Sequence, residues 1–305
     1  MCRICRTSCG RHMRSWTADT VMFMNSFFIY PNTRKDGALA LLPQVCAQLG
    51  RADVRLMLPS QLRTMAPEIE GVDYLEPEAA IRSADVAIVL GGDGTMLRIA
   101  REAARHDLPL LGINVGHVGF MTELEPGELG EMEKLFKGYY SIDSRMMLHV
   151  SVIRNQRVVY ENDALNDIVI AKGAAFRVVR VCISADDEEV TQFNGDGVIV
   201  ATPTGSTAYG LSAGGPVIEP SAENLVVIPI CAHALTAKSF VFSPERRIML
   251  AASCEGGSEV FISADGGQGF ALRPDDRVII THSPLRTRLV RLKGLSFYKI
   301  LQQKL

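Results

Sequence analysis

Apolar positions recur along this chain with two periods, and the change from one to the other falls near residue 141. Residues 27–30 form a short apolar run that reads as a strand. Ala38, Leu41, Leu42, Val45 and Leu49 then repeat at the i, i+3, i+4 spacing of a helix, with Gly50 as its stop. Pro43 inside that pattern marks a kink or the true helix start. Residues 54–58 predict a second strand and 79–82 a short helix. Residues 84–90 are apolar apart from Asp85, and Val86, Ile88 and Val89 are β-branched, which suits a parallel strand covered on both faces. Met96, Leu97, Ile99, Ala100 and Ala103 return to helical spacing, and 110–114 predicts another strand. Strands alternating with helices argue a Rossmann-like α/β domain on a parallel sheet, with limits set at 21–140.

Beyond that point the runs are short and apolar or alternating: 147–154, 157–160, 168–171, 176–183, 189–193, 197–201, 226–230, 247–250, 260–263 and 277–281. Gly, Asn, Asp and Pro separate them, and helical periodicity is weak. Residues 141–305 are therefore expected to form an all-β, sandwich-like domain. Its tail, 297–305, has the pattern of an amphipathic helix that packs back on the fold.

Composition changes this picture little. The 305 residues are 47% hydrophobic with a net charge of −2, which argues for neither nucleic acid nor an anionic membrane as partner. No apolar run reaches the length of a membrane span. Seven cysteines, an odd count, suit a reduced, cytoplasmic protein. Cys2, Cys5, Cys9 and His12 have ligand-like spacing, but spacing alone is weak, so residues 1–20 are read as a poorly ordered extension without a metal. The arginines there and the apolar run after them imitate a secretory signal, yet Asn25 and Ser26 interrupt the run and no cleavage site follows.

The chemistry concentrates at loops. Gly91-Gly92-Asp93-Gly94-Thr95 joins a strand to a helix, and its glycines let backbone N–H groups approach a phosphate. Asp93 is costly in such a cradle unless it holds a cation or takes a proton from a substrate hydroxyl. The other reading is a tight turn with Asp93 as a helix cap. A second glycine loop, Asn114 to Phe120 with Gly116 and Gly119, ends the next strand, where ligands of open α/β sheets bind. In the β half, Asn166-Asp167, Gly195-Asp196-Gly197 and the uncharged, hydroxyl-rich run 202–216 are more specific than turns require. Small residues with N–H and O–H groups suit a sugar-phosphate or a flat base.

Together and in this order, these motifs resemble the NAD kinase family over roughly residues 27–305. The resemblance implies transfer of the γ-phosphoryl group of ATP to the 2′-hydroxyl of the adenosine ribose of NAD, with magnesium or another divalent cation. It also implies a homodimer or homotetramer and a site between the two halves. Carried over by position, Asp93 is similar to the general base, and Gly91, Gly92, Gly94 and Thr95 to the phosphate turn. Arg98 resembles a basic residue near the nucleotide phosphates. Asn166 and Asp167 resemble the pair that grips adenine and the ribose hydroxyls, and Asp196 the carboxylate at the other nucleoside. Thr207, Ala208, Tyr209, Gly210, Leu211 and Ser212 look like the pocket wall, with His233 near the 2′ position. Three positions depart from the family pattern: Asp167 where Glu is frequent, Asn194 where bacterial members often have Arg, and Asp265-Gly-Gly-Gln268 for Asp-Gly-Gln. Arg177 is the candidate to supply the charge missing at 194. The competing readings are a lipid or sphingoid-base kinase, which shares the first motif, and a dinucleotide sensor without catalysis.

Overall fold

A computed structural model of the protein describes residues 24–65, 69–116, 119–173, 177–233, 237–254, 259–294 and 297–304. The extension with Cys2, Cys5, Cys9 and His12 lies outside the described residues. The first part runs β1 (Ser26–Pro31), α1 (Asp36–Leu49), β2 (Arg55–Pro59), β3 (Val72–Leu75), α2 (Pro77–Ser83), β4 (Val86–Gly91), α3 (Asp93–Arg105), β5 (Leu110–Asn114) and α4 (Glu133–Lys137). The β part follows: β6 (Ser141–Arg154), β7 (Arg157–Ala164), β8 (Asp167–Lys172), β9 (Val179–Ala185), β10 (Glu188–Gly195) and β11 (Gly197–Ala201). Then come α5 (Tyr209–Ser212), β12 (Leu225–Ile230), β13 (Phe240–Phe242), β14 (Ile248–Cys254), β15 (Val260–Ala264), β16 (Phe270–Leu272), β17 (Arg277–Arg291) and α6 (Phe297–Lys304).

β4 is buried along its whole length because both of its faces are covered. Successive side chains of a strand point to opposite faces. Ile88 and Leu90 accordingly meet Leu42 and Val45 of α1, while Ala87 and Val89 meet Met96 and Ala100 of α3. β1, β2, β3, β4 and β5 are all parallel. α1 continues through Pro43, so that residue neither starts nor ends it. The missing amide bond is offset by a buried stripe of Ala38, Leu41, Leu42, Val45 and Leu49.

β17 ties the parallel sheet to the β part. It pairs β6 antiparallel along its length, β14 near its start, and β5 in parallel at Leu289–Leu110. One sheet among the described residues therefore runs β10-β9-β14-β17-β5-β4-β1-β2-β3. A second has the order β13-β12-β11-β8-β15-β16. Val150, Ile183 and Ile280 from the first sheet pack against Ile168, Val198 and Ile262 from the second, giving the expected sandwich core. The outer face of β11 and β12 is also covered. Ile199 and Ile228 lie there beneath Ala213 and Ile218, which is why those strands read as unbroken apolar runs.

Candidate active site

The glycine turn places Asp93 as the first residue of α3, with Gly92 in the cap position. Asp93 does not cap its own helix. Its carboxylate instead accepts the N–H of Phe120 at 2.8 Å and of Met121 at 3.0 Å, both from the second glycine loop. Lys304 of α6 lies 3.7 Å from the same carboxylate and 4.2 Å from the centre of the Phe120 ring. Two glycines are required by this packing. A Cβ at Gly91 would fall 2.7 Å from the Thr95 Cβ, and one at Gly119 would fall 3.0 Å from the Asp93 Cγ. Thr95 is buried, and its hydroxyl accepts from Asn32 and Arg98. Val115 N–H donates to Gly91 O at 3.1 Å, which ties the two loops together.

Asp167 begins β8 with Asn166 directly before it, and both are buried. Thr202 holds them from one side: its N–H donates to Asn166 O and its hydroxyl to Leu165 O. Gly205 packs on the Asn166 backbone, where a Cβ would come 2.7 Å from its Cα. Asn166 Oδ1 is buried with no partner, an acceptor awaiting a donor. Burial and the nearby Asp265 carboxylate push the Asp167 pKa up to about 7.

The run 202–216 is less open than its composition implies. The hydroxyls of Thr202, Ser206 and Thr207 donate to backbone carbonyls, so they build the loop. Gly205–Thr207 forms a single 3-10 turn and Tyr209–Ser212 one turn of helix. Tyr209 and Ser212 are the exposed hydroxyls, with Thr207, Ala208 and Leu211 half-buried beside them. Gly210 and Gly215 admit the Ile228 side chain.

A chain of polar contacts joins this run to Asp93. Arg145 donates to Thr204 at 3.1 Å and is paired with Asp143 at 2.6 Å. Asp143 also holds Arg291, which donates to Met121 O, the residue whose N–H reaches Asp93. Burial pushes Asp143 up, but Arg145 and Arg291 outweigh it and keep the carboxylate below its ordinary value. Apolar contact runs parallel to this path: Leu165 lies in one cluster with Met96 and Met121. The motif reading missed Asp143, Arg145 and Arg291. A charged residue next to buried apolar positions in a strand was the available signal.

Of the other expected residues, Arg98 borders the phosphate turn through its bond to Thr95, and the rest stand apart. Arg98 is exposed and lines a cavity of about 690 Å³ with Tyr30, Ile81 and Arg105. Asp196 is paired with Lys172 at 2.6 Å. Asn194 and His233 line a cavity of about 310 Å³ with Arg180 and Gln192. Arg180 stands opposite Asn194 on the neighbouring strand, so it supplies a positive charge there, while Arg177 is exposed just before β9.

Comparison with known proteins accords with this geometry. Residues 27–140 match the model of the ATP-NAD kinase N-terminal domain, and 165–292 that of the ATP-NAD kinase C-terminal domain. The chain is 45% identical over 235 residues to the NAD kinase of Symbiobacterium thermophilum, covering 76% of this chain and 83% of the relative. It is 37% identical over 290 residues to the NAD kinase of Natranaerobius thermophilus, covering 92% and 98%. Among solved structures, an Archaeoglobus fulgidus NAD kinase in complex with ATP is 27% identical with a TM-score of 0.68, covering 92% and 97%. Yeast NADH kinase complexed with NADH shares the fold, with a TM-score of 0.83 at 21% identity over 92% and 87%.

Proposed function

This chain belongs to the ATP-NAD kinase family, and on that premise we propose that it transfers the γ-phosphoryl group of ATP to the 2′-hydroxyl of the adenosine ribose of NAD. One observation carries the reading. A carboxylate at a glycine turn, pinned by two amides of a second glycine loop, is linked by packing and hydrogen bonds to a buried Asn-Asp pair. Asp93 takes the proton of the 2′-hydroxyl, a step that typically contributes on the order of 10² to 10⁴ in rate. Gly91, Gly92, Gly94 and Thr95 form the turn that faces the donor's phosphates, with Arg98 beside them. The orphaned Asn166 Oδ1 suits the amino group of adenine, and Asp167 the ribose hydroxyls. Asp196 and Asn194 face the second nucleoside, with residues 207–212 as the wall. On this reading residues 21–140 handle phosphate and 141–305 recognise the dinucleotide.

Among the described residues no three His, Cys, Asp or Glu side chains gather to hold a metal ion. A magnesium ion fits here as counter-ion to the ATP phosphates, which supply its ligands and whose charge it neutralises. We further propose a cytoplasmic homodimer or homotetramer. Free cysteines at 46, 182, 231 and 254 support a reducing compartment, and no described helix is long and apolar enough to cross a membrane. The test is direct: protein with ATP, magnesium and NAD, read with an NADP-specific dehydrogenase. NADP formation that Asp93→Asn lowers by orders of magnitude, with NAD binding retained, is the expected result. Near-normal turnover of that variant removes the base assignment. Lipid phosphorylation without NADP hands the case to a lipid kinase.

A further inference from the structure

Asp265 has no part in the reading above, yet its surroundings are the most organised in the β part. Asp265 and Gly266 both adopt left-handed backbone, with φ of +48° and +66°, which folds the chain back at the end of β15. That turn lays the Asp265 carboxylate over the start of β8. Oδ2 accepts the N–H of Leu165 at 2.8 Å, and Oδ1 accepts those of Asn166 at 2.7 Å and Asp167 at 3.1 Å. The Asp265 N–H donates back to Asp167 O at 2.9 Å. Three consecutive amides converging on one anion form a nest of the kind that binds phosphate. Here the protein fills it with its own side chain.

Resting on the NAD-kinase reading, we propose that Asp265 is a positioning residue that sets the Asn166-Asp167 pair for the dinucleotide by gathering the three amides of residues 165–167. Residues 165 and 166 precede β8, so no ladder partner fixes their amides. Without the carboxylate, Thr202, the Asp265 N–H on Asp167 O and the β8–β11 ladder still hold this segment, but the amides of residues 165 and 166 lose their acceptor. The charge has a second effect. Asp265 and Asp167 act on each other through their charges, and Arg101 of α3 also bears on Asp265. Burial pushes Asp265 up, against three amide donors and Arg101 that favour its charged form. The Asp265 carboxylate in turn raises Asp167, adding to the effect of burial. NAD binding through the ribose hydroxyls favours ionised Asp167, so Asp265 also sets the pH at which that occurs.

The experiment compares wild type with Asp265→Asn and Asp265→Glu in the full chain. At saturating ATP, Asp265→Asn raises KM for NAD about tenfold or more, the loss expected for an acceptor of charge-assisted bonds. KM for ATP stays within about twofold, since the phosphate turn is untouched. In wild type kcat/KM for NAD rises with pH through about 7, following Asp167. In Asp265→Asn that inflection falls by about one unit or more as the neighbouring charge is lost. Asp265→Glu keeps the charge and displaces the acceptor, so it raises KM for NAD and leaves the inflection in place. It also serves if Asp265→Asn does not fold. Equal losses toward NAD and ATP, or an unchanged KM for NAD, overturn the proposal while the kinase reading stands. A wild type that makes no NADP overturns the reading and the proposal together.

Discussion

Adding one methyl group at residue 119 tests the placement of Asp93 without altering any polar atom. The new Cβ would lie 3.0 Å from Asp93 Cγ and 2.8 Å from Thr122 Oγ1. Thr122 is buried at 7% exposure and cannot swing away. The Asp93 carboxylate is 28% exposed and yields first. It can move only by stretching its bonds to the Phe120 and Met121 amides. Two charge-assisted bonds at about 1.5–3 kcal/mol each set the upper limit. Because the carboxylate can relax outward, the cost should resemble ordinary overpacking, about 1–3 kcal/mol. At about 2–4 °C per kcal/mol for chains of this size, Tm falls by only several degrees. Catalysis suffers more, since displacing a positioned group by about 1 Å costs on the order of 10² in rate. Gly119→Ala should therefore lower kcat about a hundredfold in the NADP-coupled assay at 25 °C. Gly127→Ala, where a Cβ meets nothing within 4 Å, should keep both kcat and Tm. A Gly119→Ala enzyme retaining more than half of the wild-type kcat would refute the placement of the base.

Asp167 carries a stability signature with a definite sign. Its folded pKa, about 7, lies above the unfolded value, so its contribution is present below about pH 4 and lost as pH rises through 7. Asp167→Asn should thus raise the ligand-free Tm at pH 8, by a margin that disappears toward pH 4; a uniform gain at all pH values contradicts the assignment. Gly205→Ala sets a Cβ 2.7 Å from the Asn166 Cα, backbone against backbone. Soluble yield and Tm should both collapse, and a folded variant with normal KM for NAD argues against this docking of the 202–216 run. Arg145→Met leaves the half-buried Asp143 with Arg291 as its remaining partner. Urea denaturation should register a loss of about 1–3 kcal/mol, below that of a fully buried pair because water still reaches Asp143; no loss means that the network adds nothing.

Periodicity along the chain determined where most strands and helices form, because burial of alternating or i, i+3, i+4 positions is a local property. β4, α3 and β5 follow from their own residues, and so does the switch to short strands after residue 141. The glycine motifs were legible for a related reason: close backbone approach tolerates no Cβ, whatever surrounds it. Elements with little apolar signal were not legible, such as β3 with no buried residue, and the three-residue β13 and β16. β17 shows the limit more sharply. Its last six residues mix three arginines and a threonine with Leu289 and Val290, yet Leu289 joins β5 and Val290 enters the core of the parallel sheet. Contacts across long sequence separations belong to tertiary structure alone. Asp93 is held by amides 27 and 28 residues away, and Asp265 holds an amide 99 residues away. No local pattern encodes which buried charge meets which amide, because that is decided only when the sheets stack and each buried polar atom must find a partner.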